Sequence, residues 1–116
     1  MKLSLQQQKF SYDVMKLLFF IHSNNFKVTF GEVLRTKLQQ EIYFKNGQSK
    51  TLQSQHLKKL AIDLNFFNEK NDLIFDKKEL QFFGDYWEIL DPLNRWGGNF
   101  KTFLDVPHFE RKDENV

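Results

Sequence analysis

Two histidines and one aspartate are the side chains in this sequence best suited to hold a transition metal. His56 and Asp63 are separated by six residues, and His108 lies near the C-terminus. Because the chain has no cysteine, disulfides and thiolate metal sites are excluded, and His, Asp or Glu must supply any such ligands. Two imidazoles and one carboxylate with an open fourth position form a common catalytic zinc shell. Isolated histidines are more often ordinary core or surface residues, and Asp63 could equally face water from an open sheet.

A second carboxylate precedes His108 in the segment DVPH. A hydrolytic zinc site needs a carboxylate that accepts a proton without binding the metal, and Asp105 could fill that role. In a straight strand positions 105 and 108 would point to opposite faces, but Pro107 and the preceding loop allow a bend, in which Asp105 would have to lie. The alternative is a simple turn aspartate. Glu110 would share a face with His108 and could orient its second ring nitrogen, or it could be a surface acid.

Two other residues could contact a substrate. Arg35 could bind a carboxylate or stabilise an oxyanion through its fixed fork of donors, although arginine is common on surfaces. Trp96, which precedes Gly97 and Gly98, could form a pocket wall. Alternatively, its ring covers a tight turn.

Hydrophobic periodicity predicts the elements that position these residues. Apolar spacing predicts a helix over residues 4–23 that begins with a capping box of Ser4 and Gln7. It predicts a second helix that begins after Asp76 as the N-cap. Alternation predicts strands over residues 26–30 and 59–67, with a short return strand over 73–75. The second strand places Asp63 on the face opposite Ile62. The polar segment 36–55 is predicted to be partly helical, with a turn at Asn46-Gly47 and then an irregular loop.

Composition restricts the class of protein. The 116 residues suit one domain, predicted over residues 1–110, and residues 111–116 form a charged tail expected to fray. No apolar run is long enough to span a membrane, and no conventional signal peptide is recognised, so we expect synthesis in the cytoplasm and no membrane insertion. The net charge of +2, with lysines scattered among acids, gives little support for nucleic acid binding. We expect a monomer.

Three sequence motifs, with matching order and spacing, resemble those of a known protein family. SQHLKKLAID (54–63) fits the pattern S-x-H, six residues, D, and RWGGNFKTFLDVPHFE (95–110) fits W-G-G followed by D-x-x-H-F-E. GEVLRT (31–36) supplies an upstream arginine. Together they resemble the VanY-like D-alanyl-D-alanine carboxypeptidase and phage L-alanyl-D-glutamate endolysin family of zinc peptidases. The resemblance covers roughly residues 26 to 110.

This resemblance implies one zinc ion per chain, held by His56, Asp63 and His108. It implies Asp105 as the catalytic base, and it implies that Arg35 binds substrate or stabilises the oxyanion. Ser54 would help to position substrate or a ligand. The implied fold is a small α+β domain with helices on one face of an antiparallel sheet and zinc on the other.

The implied reaction is hydrolysis of an amide bond in bacterial peptidoglycan stem peptides. An L-alanyl-D-glutamate endopeptidase of lysin type, reaching the cell wall after phage-type release, is the first expectation. A D,D-carboxypeptidase and an inactive zinc-containing binding module are the alternatives. The family usually has glycine three residues after the first ligand, where this chain has Lys59, and a positive φ there would strain lysine.

Overall fold

The computed structural model describes residues 1–49 and 54–115, so part of the predicted loop over residues 46–54 lies outside the described residues. The chain is a small α+β domain in which helices pack on a short antiparallel sheet, as predicted. The helices are α1 (Leu3–Ser23), α2 (Lys37–Lys45) and α3 (Lys77–Leu90). The strands are β1 (Lys27–Phe30), β2 (Ala61–Phe67), β3 (Leu73–Ile74), β4 (Asn94–Trp96) and β5 (His108–Arg111). Among the described residues, no helix has the length and apolarity needed to cross a membrane.

The order of the strands explains how the site is built on one face of the sheet. The order is β1-β2-β5-β4, with β3 also paired to β2, and the pairs are antiparallel. Ile62 pairs with Phe109, and Phe109 pairs with Trp96, so these three share the face that packs on the helices. Because successive side chains alternate, Asp63 and its partner His108 lie on the other face.

The hydrophobic core lies between that first face and helices α1 and α3. Aromatic rings dominate it, with Phe66 and Phe83 stacked at 5.4 Å between centroids and Phe10 edge-on to Trp87 at 5.6 Å. Rings of this size bury large apolar areas, which explains how a small domain is stabilised without disulfides. The buried apolar residues of α1 and α3 recur at helical spacing: Phe10, Leu17, Ile21, Leu80, Phe83 and Trp87.

The helix ends agree with the predictions only in part. Asp76 caps α3, since its Oδ1 accepts a hydrogen bond from the Lys78 backbone N–H at 3.1 Å. The predicted capping box of α1 was wrong. The helix begins one residue earlier, at Leu3, with Lys2 as the N-cap and no side-chain capping bond. Ser4 therefore already lies inside the first turn, where its hydroxyl cannot cap the helix.

Trp96 belongs to the core and does not form the wall of a pocket, so the prediction that it binds substrate was wrong. Its side chain is fully buried, and its Nε1 donates to the Val106 carbonyl at 2.7 Å. A Cβ atom on Gly84 would lie 2.1 Å from the Trp96 ring, and one on Gly98 would lie 2.2 Å from it. The two glycines therefore make room for the indole, which also explains a glycine inside α3.

The start of the predicted frayed tail is ordered by buried polar contacts. Arg111 is the last residue of β5, and Asp113 is buried. The Asp113 carboxylate accepts from Gln6 Nε2 at 2.9 Å and from Lys58 Nζ at 2.7 Å. The expectation of fraying from residue 111 was therefore wrong for these residues. Charge alone did not show that α1 and the turn before β2 offer them partners.

Replacing Asp113 with asparagine is expected to lower the free energy of unfolding at pH 7 by about 1 to 2 kcal/mol, because Lys58 loses its charged partner. The hydrogen bond from Lys58 holds the pKa of Asp113 well below its usual value. A depressed folded-state pKa gives stability that is present above the unfolded pKa, near 4, and is lost as pH falls toward the folded value. Urea unfolding should therefore show a difference at pH 7 that shrinks below about pH 4. Glu114→Gln, at an exposed ion pair, is the matched control with little effect.

Lys59 adopts the left-handed conformation that the missing glycine would favour. It follows a 3-10 turn (Gln55–Lys58) and has φ 54° and ψ 40°. This residue joins the turn that holds His56 to the strand that holds Asp63. The lysine is therefore strained at a position that sets the spacing of two site residues.

We expect Lys59→Gly to be more stable than Lys59→Ala by about 1 kcal/mol, because only glycine relieves the left-handed strain. Both variants remove the same side chain, so the comparison isolates the backbone. Chemical denaturation of the two proteins measures the difference. Equal stability would show that the chain carries no strain at this position.

Candidate active site

Three potential metal ligands converge at the junction of β2 and β5. Asp63 and His108 are directly paired across the two strands, and His56 reaches them from the 3-10 turn before β2. One ligand atom from each residue lies within 4.8 Å of the others. Asp63 Oδ1 is 3.3 Å from His56 Nε2 and 3.3 Å from His108 Nδ1. Ligands of a tetrahedral ion at about 2.1 Å would lie about 3.4 Å apart, so both separations from Asp63 match those expected around a metal ion.

His56 is oriented by a backbone carbonyl. Its Nδ1 lies 2.9 Å from the Val33 carbonyl oxygen, which can only accept, so Nδ1 carries the proton and Nε2 faces the cluster with its lone pair. Nε2 is buried and has no hydrogen bond of acceptable geometry among the described residues, despite the 3.3 Å separation from Asp63. A buried nitrogen lone pair of this kind fits a metal ligand. Ser54 supports the turn, because its Oγ accepts from the His56 backbone N–H at 3.2 Å.

His108 is held between two carboxylates. Its Nε2 is 2.7 Å from Glu110 Oε1, and its Nδ1 faces Asp63. Burial opposes protonation, but both hydrogen bonds favour it and raise the pKa of His108 to about 9. Burial likewise works against ionisation of Asp63, yet the hydrogen bond with His108 and the adjacent His56 imidazole keep the pKa of Asp63 below its usual value. A metal bound at Nδ1 would replace the proton there, while the Nε2 proton stays on the bond to Glu110.

A bend brings Asp105 to the same cluster. The His108 backbone N–H donates to the Asp105 carbonyl at 3.1 Å, and Asp105 Oδ2 lies 3.9 Å from His108 Nδ1. Gly97 holds this bend closely, since its carbonyl accepts from the Asp105 N–H at 3.0 Å and an added Cβ would lie 2.1 Å from the Asp105 carbonyl oxygen. Burial raises the pKa of Asp105 above its usual value, which favours proton acceptance near neutral pH.

Arg35 is fixed beside the cluster by several contacts. Its backbone N–H donates to the His56 carbonyl at 3.1 Å, and its guanidinium is paired with Glu32 and lies over the Tyr43 ring at 4.7 Å. Nη1 donates to Gln40 Oε1 at 2.7 Å and is 3.4 Å from Ser54 Oγ. The arginine is therefore held in one orientation, with its charge at the cleft.

The cluster opens into a cleft of about 410 Å³, a volume typical of small-ligand sites. Arg35, Ser54, His56, Asp105 and His108 all line it, so the structure brings these predicted residues together. Two lining residues that the sequence interpretation missed are Arg95 and Phe100. Arg95 pairs with Glu110 across β4 and β5, a register that the local pattern of residues does not encode.

Comparison with protein families identifies the chain. The family described as D-alanyl-D-alanine carboxypeptidase matches residues 47–111, more than half of the 116 residues. The chain belongs to the D-alanyl-D-alanine carboxypeptidase family. The matched range of this carboxypeptidase-family chain contains the three clustered residues, Asp105 and Glu110, whereas Arg35 lies before it.

A solved structure supports this assignment. The L-Ala D-Glu endopeptidase ChiX of Serratia marcescens superposes with a TM-score of 0.62 at 25% sequence identity. The match covers 73% of this chain and 66% of the ChiX chain, slightly less than two thirds of that protein. No curated protein matches the sequence. The matched family and ChiX are both described as peptidases.

Proposed function

We propose that this chain is a zinc-dependent peptidase that hydrolyses an amide bond in bacterial peptidoglycan stem peptides, as an L-alanyl-D-glutamate endopeptidase. The observation that carries the proposal is the cluster of His56, Asp63 and His108 in a cleft that also holds Asp105. A purely structural metal needs ligands but no proton acceptor beside them. The Asp105 carboxylate, which lies outside the cluster and 3.9 Å from His108 Nδ1, therefore favours hydrolysis.

Each proposed role follows from a described contact. His56, Asp63 and His108 would hold the zinc, with the Val33 carbonyl and Glu110 fixing the two imidazole rings. When bound there, zinc would polarise the scissile carbonyl and lower the pKa of a water molecule.

In this proposal Asp105 transfers protons and Arg35 stabilises developing negative charge. Asp105 accepts the proton of the attacking water and later passes it to the leaving amine. Arg35 donates a hydrogen bond to the substrate oxygen on which negative charge develops. Because its contacts to Glu32, Gln40 and Ser54 already fix its orientation, little reorganisation is needed during the reaction.

The proposal is tested by measuring the metal content of the purified protein and the release of amino groups from purified peptidoglycan, with and without a chelator. One equivalent of zinc and chelator-sensitive release are expected. Mass spectrometry of the fragments then identifies the bond. Bound zinc without cleavage of any wall type would instead favour the inactive binding module.

A D,D-carboxypeptidase is the second candidate, because the matched family carries that description. The two activities differ in whether the substrate must have a free C-terminus one residue beyond the cleaved bond. A carboxypeptidase releases terminal D-alanine and does not cleave a stem peptide whose C-terminus is blocked. The proposed endopeptidase cleaves the same peptide between alanine and glutamate, so one blocked peptide distinguishes them.

A further inference from the structure

Arg95 presents a positive charge in the cleft that none of the proposed roles uses. It lies in the middle of β4, opposite Glu110 of β5, and its side chain is 46% exposed. Its Nε donates to Glu110 Oε2 at 2.7 Å, and Nη2 contacts the same oxygen. Among the described residues, no hydrogen bond or ion pair involves Nη1. Part of the guanidinium is thus available to a ligand in the cleft.

The position of Arg95 places that charge close to the reacting groups. Glu110 bridges the guanidinium and the imidazole of His108, with one oxygen on each. A substrate group bound to Arg95 would therefore be separated from His108, a proposed zinc ligand, only by the Glu110 carboxylate. Since arginine presents a planar fork of donors, a carboxylate is the group it binds best.

We propose that Arg95 is a specificity-determining residue that binds a carboxylate of the substrate peptide beside the scissile amide. This inference rests on the proposed function. In an alanyl-glutamate linkage the glutamate nitrogen belongs to the scissile amide, and glutamate has two carboxyl groups of which only one continues the peptide. The other stays free next to the cleaved bond. The C-terminal carboxylate of a short stem peptide is the second source of the same chemistry.

Arg95 could instead act only by orienting Glu110, and so His108. That role would change the rate for every substrate by the same factor, because the ligand geometry does not depend on which peptide is bound. Carboxylate recognition changes the ratio between a substrate with the carboxylate and one without it. The ratio, rather than the rate, therefore decides between the two.

The experiment uses four synthetic stem peptides that differ only in whether the free glutamate carboxylate and the C-terminus are acids or amides. Values of kcat/KM are measured for the full chain, for Arg95→Gln and for Arg95→Lys. The unmodified protein should prefer one acid over the matched amide by about 10- to 100-fold, the range of a charge-assisted hydrogen bond. Arg95→Gln should reduce that preference to about 1, and the peptide pair affected identifies which carboxylate is bound.

Two further variants test whether any change in preference is specific to the Arg95 side chain. Lys27→Gln removes one positive charge at an exposed lysine of β1 that pairs with Asn71 and does not line the cleft, and it should retain the preference. Arg95→Lys keeps the charge beside Glu110 but loses the fork, so it should show an intermediate ratio and serves as the test if the glutamine variant does not fold. Equal losses on all four peptides would overturn carboxylate recognition by Arg95. Failure of the unmodified protein to cleave any of the four would instead overturn the proposed function, and this inference with it.

Discussion

Replacing Asp105 with asparagine is expected to lower kcat for stem-peptide hydrolysis by about 10²- to 10⁴-fold, the usual contribution of a general base. The amide has nearly the same shape but cannot accept the proton of the attacking water. The Asp105 side chain is 41% exposed and lies outside the cluster of His56, Asp63 and His108, so neither the fold nor the metal content should change. Loss of turnover with retained metal is the result that identifies a base.

Single-turnover hydrolysis of a synthetic stem peptide, with metal analysis of the same sample, measures both quantities. Asp85→Asn, an exposed aspartate on α3 paired with Gln81, is the matched control and should retain activity. Asp105→Glu should recover part of the lost rate, because it restores a carboxylate at slightly greater reach. Full activity of Asp105→Asn would remove Asp105 from the mechanism.

Local periodicity predicted the strand that holds Asp63, but not the 3-10 turn that holds His56. Alternation in β2 placed Asp63 on the face away from Ile62 and Leu64, and the structure confirms this, since those two residues are buried in the core. The order of residues in DVPH indicated a bend at Pro107 that joins Asp105 to His108. Both inferences depend on neighbours within a few residues, where backbone geometry alone decides which side chains share a face.

Long-range pairing could not be predicted in the same way. The register that sets Asp63 opposite His108 joins residues 45 positions apart, and that of Arg95 with Glu110 depends on a second pairing. The sequence offers several acceptable registers for such short strands, and packing of the core face selects among them. Trp96 was misinterpreted for the same reason: its neighbouring glycines fit a pocket wall or a buried indole equally well until α3 is placed against them.

The final test of the site is whether zinc stabilises the chain through His56. The Nε2 atom of His56 makes no hydrogen bond of acceptable geometry among the described residues, so apart from metal binding the main contribution of His56 to stability is packing and the bond to Val33. A metal that binds only the folded chain adds about 4 kcal/mol of stability when free zinc is about 1,000 times Kd. His56→Ala is expected to lose this zinc-dependent gain, because two ligands do not hold the ion tightly.

Thermal unfolding with added zinc and with a chelator measures that gain as a difference in Tm within each protein, which cancels the packing cost of the substitution. The unmodified chain should show a large zinc-dependent increase, and His56→Ala little or none. His22→Ala, at an exposed histidine in the last turn of α1, is the matched control and should keep the full increase. If His56→Ala kept it as well, zinc would bind elsewhere in the chain. The cluster of His56, Asp63 and His108 would then be an ordinary network of hydrogen-bonded polar residues.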